Sequence, residues 1–151
     1  MDTRVVWLTA LTLAACASPV ANRNPSPDPD AAPNFNSECY AVVPAAAPAP
    51  DVRLPDLIEL SDEPAPGFVE PGHLTVREPG VAEPKAPISS WRRLGPGAIE
   101  LALGGGFTGY VFSLRQGIEG GWTGSGVYFA DFGVEPVPPP LRLILRPKSC
   151  P

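Results

Sequence analysis

Ala98-Ile99-Glu100-Leu101-Ala102-Leu103 and Gly109-Tyr110-Val111-Phe112-Ser113-Leu114-Arg115 decide the fold, with Gly104-Gly105-Gly106-Phe107-Thr108 between them. Ile99, Leu101 and Leu103 recur at every second position, and so do Tyr110, Phe112 and Leu114. Side chains alternate across a strand with period two, so each run has one apolar face. The glycine-rich link is a turn, which makes the pair an antiparallel hairpin.

The same period continues outward. Downstream, Gln116-Gly117 turns, Ile118 to Thr123 alternates, Gly124-Ser125-Gly126 turns again, and Val127 to Asp131 forms another strand. Pro136 to Pro140 connects to Leu141-Arg142-Leu143-Ile144-Leu145-Arg146, with the leucines inward, both arginines outward, and Pro147 as the stop. Upstream the signal is thinner: Cys39–Val43, Leu57–Ser61, Leu74–Arg77 and Ser89–Leu94 are strands set between prolines, which suit edges, bulges and turns. Short strands at this spacing predict an all-β domain, a small antiparallel meander forming a barrel or sandwich of about eight short strands.

Composition agrees. The 151 residues include 22 Pro and 15 Gly, about a quarter of the chain, against roughly 12% in average proteins. Proline breaks helix interiors and glycine weakens them, which excludes a helical bundle; the length excludes a large α/β enzyme. The two residues are segregated. Residues 16–90 hold 15 Pro and 3 Gly, while residues 91–151 hold 7 Pro and 12 Gly together with eight of the twelve aromatics. Charge divides as well, at −7 over residues 17–87 and +2 over 88–151. The acidic balance and the short Arg92-Arg93 pair argue against a nucleic-acid partner.

The chain opens with Arg4, partly offset by Asp2, then the uncharged run Val5 to Leu13, and then Leu13-Ala14-Ala15-Cys16. The apolar run is too short to span a bilayer, which needs about 20 residues, and suits a signal peptide. Leu13-Ala14-Ala15-Cys16 resembles the lipobox of bacterial lipoproteins. The resemblance implies that residues 1–15 are a signal peptide and that the Cys16 thiol receives diacylglycerol. It also implies an amino terminus acylated by chains such as palmitate, hence a membrane partner through Cys16. Ala17, where an inner-membrane lipoprotein carries Asp, implies the outer membrane of the cell envelope. Residues 16–37 then read as the lipidated cysteine and a disordered proline-rich tether, and 38–151 as the β domain. At about 3.1 Å per residue the tether reaches roughly 60 Å. No aromatic or basic residue adjoins its prolines as an anchor for a docking partner, and Asp28 with Asp30 is a poor cation ligand set.

Cys39 and Cys150 remain. In an exported protein two free thiols are unusual, and two cysteines have one intramolecular pairing. A Cys39–Cys150 disulfide would bring the first and last strands together, as barrel closure does; an intermolecular bridge or a metal site are the other readings. The body also looks like small lipocalin-like envelope domains. It resembles a group of lipoproteins that share an early Cys39-Tyr40, a central Trp91, a Gly106-Phe107-Thr108-Gly109 turn and a terminal Cys150-Pro151. That resemblance implies a fold and no particular chemistry.

Catalytic patterns find little footing. Gly104 to Gly109 matches G-x-G-x-x-G but opens a strand, whereas a dinucleotide loop opens a helix. Tyr110 and Val111 occupy the positions a P-loop gives to Lys and Ser/Thr. Trp122-Thr123-Gly124-Ser125-Gly126 lacks the first glycine of a nucleophile elbow. His73, the one histidine, follows Pro71-Gly72 in a turn. Glu59, Asp62, Glu63, Glu100 and Glu119 lie in or near strands, most of them on the polar side of an alternation. Asp131 shares a side with Val127 and Phe129, as a strand-end residue or a polar group in a cavity. No catalytic residue, metal ligand or cofactor is assigned. Trp91, Tyr110, Phe112, Trp122 and Phe129 either fill the core or line a ligand cavity. The expected role is therefore a non-enzymatic structural or protein-interaction module of the envelope, and the alternative is binding of a small apolar or lipidic ligand in a β-barrel.

Overall fold

The computed structural model describes residues 38–68, 71–117, 119–133 and 136–151. Cys16, the leader and the proline-rich tether lie outside them. Eight strands follow in chain order: β1 (Glu38–Pro44), β2 (Leu57–Pro64), β3 (Leu74–Arg77), β4 (Ile88–Gly95), β5 (Ala98–Gly104), β6 (Thr108–Gln116), β7 (Trp122–Ala130) and β8 (Leu141–Lys148). Each pairs antiparallel with the next, and β8 returns to β1, so the sheet closes as an up-and-down barrel. Closure leaves no strand edge to template aggregation.

Alternation explains the interior. Ile99, Leu101 and Leu103 of β5 face Leu114, Phe112 and Tyr110 of β6 across the register and are buried with them. Tyr40, Ile58, Leu60, Trp91, Leu143 and Leu145 complete the fill. Burying one such side chain contributes about 1.5–3 kcal/mol.

Cys39 and Cys150 form the expected disulfide, with Cα atoms 5.2 Å apart and a sequence separation of 111. Closing a loop of that length stabilises by about 4–5 kcal/mol. It staples the start of β1 to the residue just past β8 and defines one end of the barrel. The connections after β1, β3, β5 and β7 gather at the opposite end.

Two readings of the sequence need correction. Gly124-Ser125-Gly126 is not a turn; it lies inside β7, which runs unbroken opposite β6. A Cβ on Gly124 would stand 2.0 Å from the Ser113 carbonyl oxygen, and one on Gly126 would stand 2.4 Å from the Phe112 ring. The glycines are there for close approach, not for turning. Pro147 also does not end the last strand: it sits within β8, opposite Tyr40.

Candidate functional site

Four of the five candidate rings point inward. Trp91 and Phe112 are fully enclosed, and Tyr110 and Trp122 are nearly so. Tyr110 stacks on Phe112 at 5.6 Å and meets Tyr128 edge-on at 5.7 Å. The Trp91 indole N–H donates to the Ser61 carbonyl at 2.9 Å, and the Arg93 guanidinium lies 5.5 Å from the ring.

Phe129 is not with them. Its register partner is Gly109, and Tyr128 opposite Tyr110 is the inward residue. The Phe129 ring lies on the outer wall against Gly104 and Gly109, where a Cβ would come within 3.1 and 2.8 Å of it. The cause is the continuous β7: with no turn at Gly124–Gly126, the alternation that buries Trp122 buries Tyr128 and turns Val127 and Phe129 out. Asp131 is accordingly exposed beyond the strand end.

The end opposite the disulfide is capped. The connection between β1 and β2 sends Ala49 and Val52 into the core, with Leu54 packed against it. Two tyrosines hold this cap: Ala49 N–H donates to the Tyr110 hydroxyl at 3.1 Å, and the Tyr128 hydroxyl donates to Asp51 Oδ2 at 2.7 Å. The hydrogen bond from Tyr128 holds the Asp51 carboxyl below its ordinary range. The same bond, together with burial, pushes the Tyr128 hydroxyl up to about 12. At the disulfide end, burial and then a hydrogen bond to Glu38 raise Tyr40 to about 12. Trp122 opposes that shift through its own hydrogen bond to Tyr40.

The acidic residues read as solvent-facing are mostly engaged in ion pairs. Arg77 meets Glu63 and, at 4.0 Å, Glu59; Arg93 meets Asp62 at 3.4 Å; Arg92 meets Glu100 at 2.7 Å. His73 stacks on Phe68 with centroids 4.7 Å apart, and its Nδ1 lies 3.0 Å from Ser90 Oγ. That pair has the atoms of a nucleophile and base, but Ser90 is only 1% exposed, so no substrate reaches its oxygen. Among the described residues no three His, Cys, Asp or Glu side chains are placed to hold a metal ion.

Open grooves are present among the described residues. One of about 300 Å3 sits where β3 and β4 diverge, lined by Pro55, Val76, Arg77, Glu78, Pro84 and Pro87 among others. Another of about 880 Å3 runs between the β6–β7 turn and β8, past Trp122, Ile144 and Pro147. Neither is lined by Trp91, Tyr110 or Phe112.

Tyr128 and Asp51 are not among the residues that the sequence singles out, and Tyr40 enters there only through the Cys39-Tyr40 motif. Tyr128 becomes legible once Gly124–Gly126 is read as strand interior, because it then falls in phase with Trp122. Asp51 had no signal, since its role depends on a loop crossing the barrel end. Compared with protein-family models, curated proteins and solved structures, the chain finds no match.

Proposed function

We propose that this chain is a bacterial lipoprotein, anchored through Cys16 to the outer membrane, whose barrel serves the envelope as a structural or protein-interaction module without catalysis. Leu13-Ala14-Ala15-Cys16 behind an apolar run supports the anchor. The observation that carries the non-enzymatic reading is the burial of the inward side chains in one core cluster. A ligand barrel keeps a cavity of about 300–1,000 Å3 lined by apolar groups. Here Tyr110 stacks on Phe112, Trp91 is buried in the same core, and the β1–β2 connection closes the end beside Tyr110. Contacts are then left to the outside of the wall. The resemblance to lipocalin-like lipoproteins fits the barrel.

Two measurements test this. Grown with labelled palmitate, cells should incorporate label into the wild-type chain and not into Cys16→Ser, which should also leave the membrane fraction; label or membrane retention in that variant overturns the anchor. Native mass spectrometry of protein purified from its host membrane should show no stoichiometric small molecule besides the acyl chains. A bound apolar ligand at one per barrel would overturn this reading in favour of ligand carriage.

A further inference from the structure

Among the described residues, one quadrant of the outer wall presents no charged side chain. Its rows follow from register. Ile88, Gly104, Gly109 and Phe129 lie side by side across β4, β5, β6 and β7, and Ala102, Val111 and Val127 form the next row, which ends at the buried Ser90. Beyond the strand ends, the rings of Phe107 and Phe132 meet at 5.6 Å. The backbone ties them together, since Asp131 N–H donates to the Phe107 carbonyl at 2.9 Å. These are among the most exposed large apolar residues described: Phe107 63%, Val127 64%, Phe132 66% and Ile88 52%. Gly104 and Gly109 let Phe129 lie flat, so the surface is smooth as well as apolar.

We infer that this face is a second, non-covalent membrane contact, seated in the interfacial region of a lipid bilayer with Phe107 and Phe132 entering first. The inference deepens the lipid-anchor reading but does not need acylation to be tested. Size argues against a second copy of the chain. With strands about 4.8 Å apart and side-chain rows about 6.8 Å apart, the patch covers roughly 300–400 Å2. A stable protein interface needs about 800 Å2 from each partner. A bilayer sets no such minimum, because insertion of a few aromatic and aliphatic side chains already removes apolar surface from water. Exposed aromatics at two adjacent loop tips are placed to enter such a surface before the wall behind them follows.

The reach of the chain fits. The wall at β6 and β7 is nine residues tall, about 30 Å at ~3.3 Å per residue. The 21 residues between Cys16 and Glu38 extend up to roughly 60 Å. An acylated cysteine therefore allows the barrel to lie with this face on the same membrane, and the tether raises the effective concentration of the contact. The charge-free face and neighbouring Asp131 set the lipid preference. Binding should be to zwitterionic surface, should gain nothing from anionic lipid, and should persist at high salt.

The test uses the full chain carrying Cys16→Ser, so that no acyl group contributes, floated with phosphatidylcholine vesicles. The parent should float with the vesicles at low and high salt. Adding Phe107→Ser, Val127→Ser and Phe132→Ser together should lower vesicle partitioning at least about tenfold, with the near-ultraviolet circular dichroism of the barrel kept. Phe132→Asp alone, in an exposed turn, should give a partial loss even if the triple variant folds poorly. Phe107→Leu with Phe132→Leu should retain binding. No flotation of the parent, or equal flotation of parent and serine variants because the leader does the binding, overturns the proposal. Binding that requires anionic lipid and disappears in high salt also overturns it, as does loss of flotation in the leucine pair. None of these outcomes depends on palmitate labelling of Cys16.

Discussion

β6 and β7 hold register from Thr108 opposite Ala130 to Gln116 opposite Trp122, whereas β3 and β4 are paired only at Leu74–Trp91 and Thr75–Ser90. One barrel thus contains a continuous glycine-rich ladder and a proline-rich seam. In the meander, Gly124 and Gly126 admit backbone and ring where any side chain would collide. At the seam, Pro79, Pro84 and Pro87 fill the connection and the strands diverge around a groove. Side-chain links substitute there. Trp91 of β4 reaches Ser61 of β2 past β3, Arg77 and Arg93 pair with carboxylates of β2, and His73 meets Ser90. Exposed ion pairs contribute only about 0–1 kcal/mol each. Closing a barrel does not require equal ladders all round: two well-made seams and a staple can carry a poor one.

The staple makes the sharpest contrast. Reducing Cys39–Cys150 should cost about 4–5 kcal/mol of unfolding free energy in urea titrations. Amide exchange should then rise first in β1 to β4, while β5 to β7 stay protected. Uniform acceleration across all eight strands would erase the distinction between the two regions.

Glycine substitutions separate them next. Gly124→Ala forces a Cβ onto the Ser113 carbonyl and should destabilise by about 3 kcal/mol, at the upper end of overpacking effects. Gly80→Ala, in the proline-rich connection, meets nothing within 4 Å but sits at φ +74° and should cost only about 1 kcal/mol. Similar midpoint shifts in the two variants would mean that the β7 backbone yields where the structure holds it tight. Between these lies Trp91→Phe, which keeps the ring but leaves the Ser61 carbonyl without its indole donor. A loss of about 1–2 kcal/mol is expected, with faster exchange confined to β2–β4; an unchanged midpoint would remove Trp91 from the seam.

The same contrast governs what the sequence discloses. Strands with strict alternation, such as Ile99-Leu101-Leu103, announce their inward face, and Cys39 and Cys150, with one intramolecular pairing between them, announce their bridge. Glycine is ambiguous because one residue serves both turns and close approach. Gly124-Ser125-Gly126 reads as a turn until the Phe112 ring is seen to need the space, and that error moved Phe129 from the wall to the interior. The cap is harder still. Ala49, Val52 and Asp51 lie in an Ala/Pro-rich stretch with no period, and their burial comes from crossing a barrel end that exists only after all eight strands have closed.

The cap also joins the two regions, and its protons offer the gentlest test. Tyr128 belongs to the glycine-rich β7, and Asp51 to the proline-rich connection after β1. The folded Asp51 carboxyl ionises more readily than its ordinary 3.8 because the Tyr128 hydroxyl donates to it. Its contribution is therefore present above about pH 4 and is lost as pH falls through the lowered value. Tyr128 is shifted the other way, from 10.0 up to about 12. Its contribution is complete below pH 10 and is lost as pH rises through about 12. The clasp thus holds across the whole neutral range and opens at both extremes. Phenolate absorbance should show two of the three tyrosines, Tyr40 and Tyr128, ionising near 12. Tyr128→Phe should remove one of these late steps and return Asp51 toward its ordinary range, with little change in the midpoint of unfolding at neutral pH. Ionisation of Tyr128 near 10 while the barrel is still folded would show that the cap is not clasped to the meander.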